Sequence, residues 1–198
     1  AGGNGAVALG NNASAVGDGG IAIGQDTQAS LRSIAIGSDG PDSELAGFVF
    51  GATADGVDAI AIGTDANAFG NFAIALGLGS NSNNTRATAI GVGARAGGIN
   101  SLALGVDSEA TNESALSFGP QSESSGFAAV AIGNFARSTQ RLSMALGTNS
   151  LATAMNAVAI GAGADASGGS SVALGALAAA SGVGAISLGT SSRATGLS

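Results

Sequence analysis

A short apolar triplet closed by glycine recurs along the whole chain. Its glycines are Gly10, Gly24, Gly37, Gly51, Gly63, Gly77, Gly91, Gly105, Gly119, Gly133, Gly147, Gly161, Gly175 and Gly189, and from Gly63 onward every spacing is 14 residues. Fourteen copies of so short a unit predict a solenoid, because a unit of this size cannot bury an apolar face except against the next copy. Earlier spacings of 13, 14 and 12 mark the stretch 37–63, with Pro41 and the bulkier triplet Phe48-Val49-Phe50, as locally irregular.

Within each unit the residues three and one before the glycine are large and apolar (Val7 and Leu9, Ile60 and Ile62, Val158 and Ile160), and those four and two before it are small. A period of two predicts a strand. Seven residues after the closing glycine a second one often stands (Gly17, Gly70, Gly98, Gly126, Gly168, Gly182, Gly196), elsewhere replaced by Asp58, Asn84 or Asn112, all residues that accept the positive φ of tight turns. Two turns per 14 residues predict two strands of about five residues per coil and a flattened roll. The second strand carries mostly Ala or Ser at the third and fifth positions after the glycine, which points them inward. Eleven of the 19 charges stand at the second and fourth positions, which meet water.

The first strand carries none of the 19 charges in the five residues ending at each glycine. Size assigns its Val, Ile and Leu to the core, which leaves the small residues as a flat outer strip suited to close approach by another backbone. That reading makes Ala8, Ala35, Ala61, Ala75, Ala89, Ala103, Ala131, Ala145, Ala159 and Ala173 the expected subunit interface. Against it stands the plainer reading that small side chains suit a thin roll.

Composition removes most chemistry. With no Cys or His there is no thiolate nucleophile, no disulfide and no imidazole base or metal ligand. No catalytic, cofactor-binding or metal-binding residue is expected, and the chain does not read as an enzyme. A net charge of −7 with six basic residues argues against nucleic acid as a partner. Apolar runs are cut by glycine well before the length of a spanning helix, so no membrane insertion by this segment is expected. Both ends fall inside the repeat, so residues 1–198 read as one array cut from a longer chain. The acidic group Asp39, Asp42 and Glu44 reads as a solvated loop rather than a cation site.

Asn100-Ser101-Leu102-Ala103-Leu104-Gly105-Val106-Asp107-Ser108 resembles the repeat of the YadA-like heads of trimeric autotransporter adhesins, as do Asn156 to Gly161 and Ser33 to Gly37. The resemblance covers the full chain. It implies an all-β fold, a left-handed parallel β-roll solenoid of 14-residue coils, with three rolls side by side as a homotrimer on the bacterial cell surface, anchored to the outer membrane by a region outside this segment. It also implies host extracellular matrix proteins (collagen, fibronectin, laminin) or the host cell surface as partners. Because the adhesive motif of such heads is the structural repeat itself, Asn100 to Ser108 does not choose a ligand. Outer-strand residues Arg95, Glu109, Glu123 and Arg137 are the expected ligand-binding set. A passive rod-like spacer is the alternative. An ice-binding solenoid requires a regular Thr ladder, and a left-handed β-helix acyltransferase requires a longer coil and a catalytic His; neither is present.

Overall fold

The computed structural model describes residues 1–39 and 51–196. All of its regular elements are strands, arranged in two compact units, Ala1–Asn100 and Ser101–Ser198. In the first unit the strands are β1 (Val7–Leu9), β2 (Ser14–Ala15), β3 (Ile21–Ile23), β4 (Gln28–Ala29), β5 (Ile34–Ile36), β6 (Thr53–Ala54), β7 (Ile60–Ile62), β8 (Asn67–Ala68), β9 (Ile74–Leu76), β10 (Asn81–Ser82), β11 (Thr88–Ile90) and β12 (Arg95–Ala96). The second unit continues with β13 (Leu102–Leu104), β14 (Glu109–Ala110), β15 (Leu116–Phe118), β16 (Glu123–Ser124), β17 (Val130–Ile132), β18 (Arg137–Ser138), β19 (Met144–Leu146), β20 (Leu151–Ala152), β21 (Val158–Ile160), β22 (Asp165–Ala166), β23 (Val172–Leu174), β24 (Ala179–Ala180), β25 (Ile186–Leu188) and β26 (Arg193–Ala194).

Within each unit the odd-numbered, three-residue strands form one parallel sheet and the even-numbered, two-residue strands another. Each pairs with the equivalent strand one coil on, as in Val130↔Met144 and Arg137↔Leu151. The chain is therefore a parallel β-solenoid with a 14-residue coil, as expected, although its strands are shorter than the expected five residues.

The two faces of the first strand are the reverse of the assignment made by size. Ala35, Ala61, Ala75, Ala89, Ala103, Ala131, Ala145, Ala159 and Ala173 are completely buried inside their own roll, and Ala8 packs against the same core at its open end. They are not available as a subunit interface. Each coil's interior consists of four small residues, two from each sheet; Ala157, Ala159, Ala164 and Ala166 are all 0% exposed. The sheets are so close that serine hydroxyls bridge them directly: Ser117 to Ser122 at 2.6 Å and Ser138 to Ser143 at 2.7 Å. Such a gap is narrower than the roughly 10 Å of ordinary sheet packing and has no room for Ile or Leu. The large side chains of the triplets accordingly point outward, and among the described residues none of them is buried in the single chain.

The irregular stretch is an insertion rather than an extra coil. β5 pairs directly with β7 and β4 with β6, so the chain has thirteen coils among the described residues, six in the first unit and seven in the second. Ile36 to Thr53 takes 17 positions where Leu9 to Ser14 takes 5, which makes 12 extra residues at the first turn of that coil. The triplet Phe48-Val49-Phe50 and the acidic residues Asp42 and Glu44 lie outside the described residues. A clasp links the coils joined across this insertion: the Arg32 guanidinium donates through both Nε and an Nη to the Asp58 carboxylate, each at 2.7 Å. That hydrogen bond, with the guanidinium charge behind it, holds the Asp58 carboxyl below the usual carboxylate range and raises Arg32.

Glycine also plays a different part at the second turn. Gly70, Gly126 and Gly168 are not in the left-handed region; a Cβ on each would lie 2.0–2.1 Å from the nearest backbone atom of the next coil. Close stacking, not positive φ, selects them. Positive φ falls instead on most of the triplet glycines themselves, such as Gly63 and Gly133, and in most coils on the residues two after a triplet glycine and five before the next, on Asn12, Asp65, Asn100 and Asn156, but also on Phe72, Phe135, Leu142 and Leu177.

Candidate binding surfaces

Two outward faces follow from this alternation. On the three-residue sheet of the second unit, all fourteen outward positions are apolar, from Leu102 and Leu104 through Val130 and Ile132 to Ile186 and Leu188. In the first unit Thr88 is the exception among twelve. In-register pairing stacks these residues into two unbroken columns, as in Val158↔Val172 and Ile160↔Leu174. Contiguous apolar surface of this extent is unusual on a free monomer and marks a surface that is covered by something.

The opposite, two-residue sheet presents charge. The first residue of each short strand other than β6, whose Thr53 is buried, faces outward, and there stand the four residues singled out from sequence: Arg95 on β12 beside Asn81, and Glu109, Glu123 and Arg137 on β14, β16 and β18. Glu109, Glu123 and Arg137 are brought together as successive members of one column, with Arg137 paired to Glu123 at 3.0 Å. Arg95 belongs to the first unit.

Glu109, Glu123 and Arg137 line one side of an open groove of about 480 Å³ in the second unit. Its other side is the column of turn residues two positions after the triplet glycines, among them Asp107 and Phe135; buried Ser122 lies between the columns and Leu151 closes the far end. Sequence reasoning missed Phe135 and Leu151. The signal was there for Phe135, since its position takes Asn, Asp or Gly in most coils, and an aromatic held at φ 56° and 47% exposed contributes little to folding. Among the described residues, no three Asp, Glu, His or Cys side chains stand close enough to hold a metal ion, and no helix is long and apolar enough to cross a membrane.

A family model described as YadA head domain repeat (2 copies) matches residues 1–27, 54–80, 82–108, 110–136, 138–164, 166–192 and 180–197. The chain belongs to the YadA head family. The unmatched stretch 28–53 holds the insertion together with the regular strands β4 and β5, so the family model matches most of the regular coils and not the insertion. No individually curated protein is a significant match to the chain.

Proposed function

We propose that the chain is the head of a bacterial surface trimeric adhesin, three left-handed rolls joined through their outward Val, Ile and Leu columns and presenting their charged sheets to host macromolecules. The observation that carries this reading is the pair of apolar columns on the outside of a roll whose own core is alanine and serine. Small residues complete the single roll, so the large ones serve contact with something else. Each is worth about 1.5–3 kcal/mol on full burial. A second and third copy of the same column supply a matching, charge-free surface of equal length, while the handedness and the number three come from the family.

The proposed partners are extracellular matrix proteins such as collagen, fibronectin or laminin, or the host cell surface. Individually weak contacts on three chains and many coils gain strength by multivalency. Function here is attachment, with no catalytic step. The test is binding of the assembled protein to immobilised matrix proteins and to host cells, compared with a variant in which outward charges of the two-residue sheet are exchanged for Ser. Equal retention of both proteins at background level would favour a passive spacer that holds other domains away from the cell.

A further inference from the structure

We propose that the groove over β14, β16, β18 and β20 is a binding site for an extended polypeptide segment that carries a Lys or Arg with an aliphatic side chain three residues away. The inference deepens the adhesin reading, on which it rests for the partner being a macromolecule, by naming the chemistry recognised at one place. The groove is bipartite. At one end Asp107, Glu109 and Glu123 supply three carboxylates against the single guanidinium of Arg137, which is already engaged by Glu123. At the other end Phe135 and Leu151 offer apolar surface that is exposed or half-exposed in the single chain.

Charge complementarity selects the occupant. Among the described residues Asp107 and Glu109 make no ion pair, and no three carboxylates stand close enough to hold a metal ion; Asp107 and Glu109 belong to one coil and Glu123 to the next, a spacing that suits an ammonium or guanidinium. Glu109 and Phe135 are two coils apart, as are Glu123 and Leu151, and two coils amount to roughly 10 Å at parallel-strand spacing. A chain in the extended polyproline II form, with three residues per turn and about 3.1 Å per residue, covers that distance in three residues and keeps both side chains on one side. The groove lies over the two-residue sheet and the adjoining first turns, and none of the outward residues of the apolar columns lines it. Phe135 adds a further indication: the same turn position in the next coil is Asn149, at nearly the same φ (55°), so the fold does not require an aromatic there.

The probe is acetyl-Gly-Lys-Gly-Gly-Leu-Gly-amide, titrated into the isotope-labelled intact protein while backbone amide shifts are followed. The expected result is saturable shifts confined to residues 107–151, weakened at least about threefold when the probe's Lys is replaced by Glu or its Leu by Ser. Glu109→Lys and Phe135→Asn should each weaken binding by a similar factor. Both substitutions suit the fold, since Arg137 occupies the position equivalent to 109 and Asn149 the position equivalent to 135. Asp165→Lys, on the same face beyond the groove, should leave binding unchanged. Equal binding of the Glu-containing probe, or shifts spread over all coils, would overturn the proposal. Attachment to immobilised matrix proteins by the same variants separates the two readings. Attachment without peptide binding overturns the groove and leaves adhesion standing; peptide binding without attachment supports the groove and removes the adhesin reading.

Discussion

Enlarging the alanine at the centre of a triplet and polarising its neighbour should damage different things. Ala131 is 0% exposed and flanked in register by Ser117 and Ala145, which are also fully buried. Ala131→Leu adds three carbon atoms to an interior where hydroxyls from facing sheets already touch, and overpacking at such a site costs about 3 kcal/mol, the upper part of the usual range. At 1.4 kcal/mol per decade this is about a hundredfold in the folding equilibrium of each chain. Ile132, one residue on, points outward and is only partly covered. Ile132→Ser should leave the single roll nearly as stable as before, yet remove about 1.5–3 kcal/mol of burial per chain from association. Urea unfolding followed by circular dichroism reads the first effect, and concentration-dependent sedimentation the second. If Ala131→Leu dissociates the assembly with its strand signal intact while Ile132→Ser unfolds the chain, the inside and outside of the roll have been exchanged and the reasoning fails.

Three further outcomes are expected. Gly133→Ala should destabilise by at least about 2 kcal/mol, because φ is 132° and a Cβ would meet Gly147 backbone atoms at 2.6 Å, whereas Gly169→Ala, with nothing within 4 Å, should be neutral or stabilise by up to about 1 kcal/mol in denaturant titrations. Asp58 has a folded pKa below its unfolded value, so its contribution is present above the ordinary carboxylate range and lost as pH falls through the folded pKa; Asp58→Asn should flatten that acid-side loss of stability in pH-dependent unfolding. Replacing residues 40–50 by a short Gly-Ser linker should leave the thermal transition within a few degrees of the unaltered protein, since β5 already pairs with β7 and the Arg32–Asp58 clasp joins their coils.

The strands and the two turns per coil were legible from the chain because a period of two and a spacing of 14 leave few alternatives, and the parallel pairing followed from the resemblance to YadA-like heads. Which face points inward was not. Alternation places Val130, Ile132 and their equivalents on one side and Ala131 on the other, but inside and outside depend on the thickness of the gap, and the rule that large residues go inward assumes a core of ordinary depth. A roll with four inward side chains per coil reverses the rule, and the Ser117–Ser122 and Ser138–Ser143 bridges show why. The coil count erred at Gly51, whose spacing from Gly37 happens to equal the repeat although it closes an insertion. Of the candidate site, Glu109, Glu123 and Arg137 were recoverable from their outward register. Leu151 shares that register but carries no charge, so the pattern of outward charges passed over it.

The central claim, that the outward Val, Ile and Leu columns join three copies of the chain, is tested most directly by the sedimentation-equilibrium mass of the unaltered protein and of a variant carrying Ile132→Glu and Leu146→Glu. The account predicts three times the 18.4 kDa chain mass for the first and a folded species of 18.4 kDa for the second, because in-register columns would bring unpaired carboxylates together in an apolar contact. A folded monomer for the unaltered protein, or a trimer that survives both glutamates, would contradict it.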